Sequence, residues 1–240
     1  MIVFGNQKSG TSVIASLLAD LGGLSKTIDI PPLWRDEGAE IVHGRARFGD
    51  VVRRHPSYFA TELIKEPMMT FFVGQVLDEF PRARCAFVVR DPRDNIRSLL
   101  DSRKLPGNLP ELTDELRAAL GGRVTVDSRV WGGEGENYIG VLAHRWNLAA
   151  GGYVEHRERL RLAKYEEFMQ AKLAFLGALA SDLDIAARHD VSDKLEHDYQ
   201  PRGNRGAKWG EFFGADNLAR IERICGERMA VFGYRTSAAP

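Results

Sequence analysis

The sequence predicts an α/β fold with a central parallel sheet flanked by helices. Three observations predict it. Met1–Phe4 and Cys85–Val89 are continuous apolar runs, as strands are when both faces are covered. Each run is followed by apolar residues at helical spacing: Val13, Ile14, Leu17, Leu18 and Leu21 after the first, Ile96, Leu99 and Leu100 after the second. Further strand-like and helix-like stretches then alternate to the C-terminus, the order that builds a parallel sheet from crossover units.

The first strand leads into Gly5-Asn6-Gln7-Lys8-Ser9-Gly10-Thr11-Ser12, and the helix after it stops at Gly22-Gly23. A strand, a glycine loop and a helix N-terminus form an anion site, because backbone N–H groups converge and the helix dipole favours negative charge. Leu24–His55 reads as loop and short helix. Ala60–Ile64 is a short strand running into the corner Lys65-Glu66-Pro67. Phe72, Val76, Leu77 and Phe80 mark a helix over Met68–Phe80, closed by Pro81. After Cys85–Val89, Asp91-Pro92 opens a helix with an N-capping carboxylate and a proline in the first turn.

Residues 105–138 are the least regular part, with a short helix near Glu111–Leu120 and a glycine-rich loop after Trp131. Long irregular stretches in compact domains serve function more often than packing, so this one is expected to bind an acceptor or act as a lid. Ile139–Leu160 is helical, Leu160–Tyr165 a strand, Phe168–Leu183 a helix and Asp184–Lys208 a polar loop. Leu218, Ile221, Cys225, Met229 and Phe232 mark a last helix ending at Gly233.

Composition limits the function classes. The chain has 240 residues, enough for one domain spanning 1–240. Thirty-three basic residues balance 33 acidic ones, so nothing global favours nucleic acid or an anionic membrane. Two cysteines, Cys85 and Cys225, sit in apolar patterns and read as buried thiols, which suits a reducing compartment. No apolar run approaches a membrane span and no leader precedes the first strand, so a cytoplasmic location is expected. The six histidines show no metal-ligand spacing.

The glycine loop is not the nucleotide-triphosphate loop G-x-x-x-x-G-K-[ST]. Gly5 and Gly10 have its separation, but Thr11 stands where its lysine belongs and Lys8 precedes Gly10. Gln7-Lys8-Ser9-Gly10-Thr11-Ser12 instead resembles the 5′-phosphosulfate loop of the sulfotransferases, P-K-S-G-T-T or P-R-S-G-T-S, with Gln7 in place of the common proline. Arg90-Asp91-Pro92-Arg93-Asp94 and then Ser98 resemble that family's 3′-phosphate motif, an arginine and a serine after a strand. Arg90 ends its strand at the edge where open α/β sheets bind ligands. Lys164-Tyr165-Glu166-Glu167-Phe168 is similar to the family's R-Y-E-D-L, whose tyrosine lies at the adenine. Pro201–Trp209 is a loose form of its R-K-G-x-x-G-x-W-K loop, with Arg202 or Arg205 meeting the 3′-phosphate.

The resemblance implies a P-loop, nucleotide-kinase-like sulfotransferase fold. It implies 3′-phosphoadenosine 5′-phosphosulfate (PAPS) as donor, 3′-phosphoadenosine 5′-phosphate (PAP) as product, a small-molecule or glycan acceptor, and no metal. Gln7, Lys8, Ser9, Gly10, Thr11, Ser12, Arg90, Ser98, Tyr165, Arg202 and Arg205 would hold the donor. Lys8 would meet charge on the bridging oxygen. Glu66 is the expected base, with Lys65 as a second cation, and Glu37 and His43 are its rivals. An ATP-dependent kinase would want lysine after Gly10 and a strand-terminal aspartate for Mg²⁺. A non-catalytic nucleotide-binding protein of the same fold would bind donor without turnover.

Overall fold

The computed structural model describes residues 1–119, 126–197 and 208–237. The chain runs β1 (Ile2–Phe4), α1 (Thr11–Gly22), β2 (Lys26–Ile28), α2 (Pro31–Arg35), α3 (Glu37–Val42), α4 (Phe48–Arg54), β3 (Leu63–Lys65), α5 (Val73–Glu79), β4 (Cys85–Val89), α6 (Pro92–Asp101), α7 (Asp114–Ala119), α8 (Ser128–Trp131), α9 (Tyr138–His156), β5 (Leu160–Lys164), α10 (Tyr165–Gln170), α11 (Lys172–Asp182) and α12 (Trp209–Val231). A 3-10 turn, Pro67–Phe72, joins β3 to α5. Contacts gather the chain into two compact units, Met1–Arg90 with Gly152–Tyr199, and Asp91–Gly151 with Gln200–Pro240.

The first unit holds the whole sheet. Its five strands are all parallel, in the order β2-β3-β1-β4-β5. On one face Val3, Leu63, Ala86, Val88 and Ala163 pack with Ile14, Leu17 and Leu18 of α1 and Leu176 and Leu179 of α11. Burying each leucine or isoleucine stabilises by about 1.5–3 kcal/mol, which is why the two apolar stripes face the sheet. On the other face Phe87 meets Tyr153 at 5.3 Å between ring centroids. Gly152 lies so close to the 3-10 turn that a Cβ there would stand 3.0 Å from the Thr70 carbonyl oxygen.

Local chemistry sets the ends of these elements. Gly23 ends α1 in the left-handed region, φ 63°, where its N–H reaches back to the helix carbonyls. Glu66 accepts from the Met68 N–H and caps the 3-10 turn, so the helix expected over Met68–Phe80 divides into that turn and α5. The helix expected over Phe168–Leu183 divides at Ala171, whose backbone is not helical, φ −149° and ψ 65°. β2 lies inside Leu24–His55, where the sequence shows no strand pattern. Three residues with an exposed lysine are too short for one, and pairing with β3 supplies the order.

The second unit is helical. Asp91 caps α6 by accepting from the Arg93 N–H at 2.9 Å. The Arg93 guanidinium then binds Asp91 through two bonds and Glu222 of α12 through another, and it stacks 3.7 Å from the Trp209 ring. Trp209 Nε1 donates to Asp94 at 2.9 Å. Buried Asn137 starts α9 by accepting from the Ile139 and Gly140 N–H groups, and its amide donates to Asn217 of α12. Asn217 in turn donates to the Gly107 and Leu109 carbonyls. The described part of 105–138 therefore contributes to the core through Leu105, Leu112, Trp131 and Tyr138, all buried. α12 starts at Trp209, earlier than the apolar spacing suggests, and bends at Gly214, φ 68°.

Candidate functional site

A parallel sheet sends all its carboxyl ends to one edge. Across that edge of the first unit stand, in strand order, Asp29 after β2, Lys65 and Glu66 at β3, the Gly5–Gly10 loop after β1, Arg90 after β4 and Tyr165 after β5. The strand order reverses direction around β1, and ligands of open α/β sheets bind at such a point.

The loop after β1 is held at both ends. The Gly5 N–H donates to Thr70 Oγ1 at 2.8 Å. A side chain at Gly5 would meet the Val88 carbonyl oxygen at 2.5 Å, so this residue has to be glycine. The Ser9 N–H then bonds the Asn6 carbonyl at 3.1 Å, closing a four-residue turn. Lys8 has φ 68° and Gln7 does not have a positive φ, which makes the turn type II. Proline favours the Gln7 position of such a turn because its ring presets φ. That is a physical reason for the proline in the motif this loop resembles. Lys8, a residue with a Cβ in the left-handed region, carries strain of about 1–2 kcal/mol.

Gly10, φ 91°, precedes α1, and no side chain caps that helix. A Cβ on Gly10 would lie 2.2 Å from Tyr165 Cδ2. Arg90 lies 4.8 Å from the centroid of the same ring, and its Nη1 donates to the Lys8 carbonyl at 3.2 Å. The loop, Arg90 and Tyr165 thus form one contact group. Ser9 and Thr11 are buried, while Gln7, Lys8 and Ser12 are half-buried. The group joins an uncapped helix N-terminus, a lysine, an arginine fork and an aromatic ring, a set that fits an anionic nucleotide.

On the other side of β1 stands a clamped corner. Lys65 Nζ, 2% exposed, lies 2.5 Å from Asp29 Oδ1. The Asp29 side chain is 43% exposed, and its backbone sits at φ 68°. Its N–H donates to the Lys65 carbonyl at 2.9 Å. Glu66 is fully buried. Its Oε2 accepts from the Ile30 N–H at 2.6 Å and its Oε1 from the Met68 N–H at 2.8 Å. Burial pushes its carboxyl up to about 7, although both N–H bonds and the Lys65 charge pull the other way.

The remaining expected site residues stand on other elements or outside the described residues. Ser98 is half-buried in α6 of the second unit. Arg202 and Arg205 lie outside the described residues. Glu37 is bonded to Arg54 at 2.9 Å and to His55 at 3.0 Å, linking α3 to the end of α4; burial pushes its carboxyl up, but these bonds outweigh it and hold the group below the usual range. His43 follows α3 as its C-cap. Asp29 was missed by sequence reasoning. Its one signal was its type, since aspartate tolerates the left-handed region better than most residues. Among the described residues, no group of three or more His, Cys, Asp or Glu side chains is placed to hold a metal ion, and no helix is long and apolar enough to cross a membrane.

Comparison with solved structures gives a clear fold. A sulfotransferase from Mycobacterium avium matches all of this chain and 78% of its own, at 14% identity and a TM-score of 0.59. The sulfotransferase domain from the curacin biosynthetic pathway matches 98% of this chain and 97% of its own, at 12% identity and a TM-score of 0.51. The fold is that of the sulfotransferases. No family model and no curated protein matches the sequence.

Proposed function

We propose that this chain is a sulfotransferase, moving a sulfuryl group from PAPS to an acceptor hydroxyl. The observation that carries the reading is the group at the sheet edge, where Lys8, Gly10, Arg90 and Tyr165 meet around one loop. The sulfotransferase fold supports it. In this reading 1–240 act as one domain, and residues 105–138 contact the acceptor.

The loop backbone and the α1 N-terminus would hold the 5′-phosphosulfate, Arg90 the 3′-phosphate and Tyr165 the adenine. Ser98 and the arginines at 202 and 205 would add to the 3′-phosphate contacts. The donor supplies an activated sulfuryl group on a phosphosulfate anhydride. Lys8 stabilises the negative charge that develops on the bridging oxygen as the S–O bond breaks.

The acceptor hydroxyl forms the new S–O bond and loses its proton to a base. We assign that base to Asp29 ahead of Glu66. A base has to reach the acceptor; Asp29 is 43% exposed beside a buried ammonium, whereas both Glu66 oxygens accept backbone N–H bonds beneath the edge. Lys65 then orients Asp29, and Glu66 fixes the corner on which Asp29 stands.

Incubation with PAPS carrying labelled sulfate, over a panel of alcohols, phenols and sugars, tests the activity. Label moving to an acceptor, with PAP formed in equal amount, is the expected result. Donor binding with no transfer across the panel would favour a non-catalytic nucleotide-binding protein.

A further inference from the structure

We propose that Arg90 is a positioning residue for Lys8, bracing the strained turn through the Lys8 carbonyl oxygen. What Lys8 does chemically rests on the sulfotransferase reading; the brace itself rests on geometry.

The turn Asn6–Ser9 is poorly specified by its own residues. A type II turn favours proline at its second position and glycine or asparagine at its third. Gln7 and Lys8 occupy them, and Lys8 is held at φ 68°. A strained conformation of this kind persists only where the surroundings over-determine it. Arg90 Nη1 donates to the Lys8 carbonyl at 3.2 Å. The Arg90 guanidinium rests on the Tyr165 ring at 4.8 Å, and that ring fills the space a Cβ at Gly10 would need.

A closed circuit results: Lys8 carbonyl, Arg90, Tyr165, Gly10, and two residues back to Lys8. Gly5, bonded to Thr70, fixes the other end of the loop. Arg90 therefore has two tasks on different sides of the reaction. Its charge serves donor binding, and its bond to the Lys8 carbonyl serves the orientation of the ammonium that acts in the transition state. Loss of the second task lowers the rate at saturating donor, which loss of a phosphate contact alone does not.

The test compares Arg90→Gln and Arg90→Lys, each alone and combined with Gln7→Pro, with Gln7→Pro as the reference. Proline presets the turn, and Gln7→Pro alone accounts for whatever the change at position 7 does to donor binding. The first readout is hydrogen exchange of the Ser9 amide in the protein without nucleotide, because that N–H closes the turn. Losing a charge-assisted bond should lower its protection at least about tenfold, and proline should recover about two- to fivefold. With PAPS and a working acceptor, kcat should fall and recover in parallel while the donor Kd stays weakened. Arg90→Lys keeps the charge and serves where Arg90→Gln disturbs amides throughout the protein. Ser9 protection unchanged in both Arg90 variants, or kcat that proline does not restore although protection returns, would overturn the proposal. Protection that falls and returns in a protein transferring no sulfate would uphold the brace and sink the sulfotransferase reading instead.

Discussion

Lys65 and Asp29 form a pair of unequal exposure: the ammonium is 2% exposed and the carboxylate 43%. The buried member is fixed by β3, and the exposed member is pinned by the bond from its own N–H to the Lys65 carbonyl. A carboxylate oriented by a hidden cation at the open edge of the sheet suits proton transfer. Asp29→Asn should therefore lower kcat by about 10²–10⁴, the range for loss of a general base. Glu66→Gln should cost less than about tenfold at a pH where both proteins are folded. The reverse ranking, measured with one working acceptor, would return the base to Glu66.

Glu66 also sets a pH dependence of stability. Its carboxyl titrates near 7 in the folded protein against 4.5 for the ordinary group. Between those values the folded state binds more protons than the unfolded one, so stability falls as pH rises through the window. Below about 4.5 this contribution is absent, and above 7 its full cost, on the order of 3 kcal/mol, is present. Urea unfolding from pH 4.5 to 8 should show a steeper loss in the wild type than in Glu66→Gln. Parallel curves would mean that this carboxyl titrates normally.

Gly10 and Tyr165 make a second separable prediction. Gly10→Ala places a Cβ 2.2 Å from the ring at φ 91°. The backbone strain alone costs about 1–3 kcal/mol, and the ring has to move. Adding Tyr165→Ala should relieve the collision but not the strain. Thermal unfolding should therefore rank the double variant above Gly10→Ala and below Tyr165→Ala, and adenine nucleotides should bind none of the three well.

Lys8→Ala should lower kcat by about 10²–10³ and weaken donor binding much less, because a preorganised donor acts most strongly on transition-state charge. Single-turnover rates at saturating PAPS, set beside Kd from calorimetry, separate the two effects. A variant with weak donor binding and a normal rate would make Lys8 a binding residue only.

Much of this was legible in the sequence because the signals were local. β4 is five consecutive apolar residues between a charged approach and Asp91-Pro92, and it lies where that pattern puts it. The Gly5–Gly10 loop and its helix follow from glycine, lysine and hydroxyl spacing. What was hidden depends on pairing at a distance. β2 is ordered by β3 across more than thirty residues, and Asp29 becomes conspicuous only after Lys65 binds its carboxylate and Glu66 binds the N–H of the next residue, Ile30. Glu66 shows the converse: its sequence position is that of a strand-end acid, and only the two N–H bonds from Ile30 and Met68 show it as the clamp of a corner. The kink at Gly214 was invisible as well, since a single glycine in an apolar repeat is compatible with a straight helix.

The site proposed at the sheet edge takes a 3′-phosphorylated adenine nucleotide that carries an activated sulfate. Calorimetric titration with PAP, adenosine 5′-phosphate, ADP and ATP, each with Mg²⁺ and with EDTA, tests it most directly. A hydrogen bond to a charged group contributes roughly 1.5–3 kcal/mol, so PAP should bind at least about tenfold more tightly than adenosine 5′-phosphate, and EDTA should change nothing. Equal affinity for PAP and adenosine 5′-phosphate, or ATP bound more tightly than PAP and only with Mg²⁺, would contradict the account and point to a kinase.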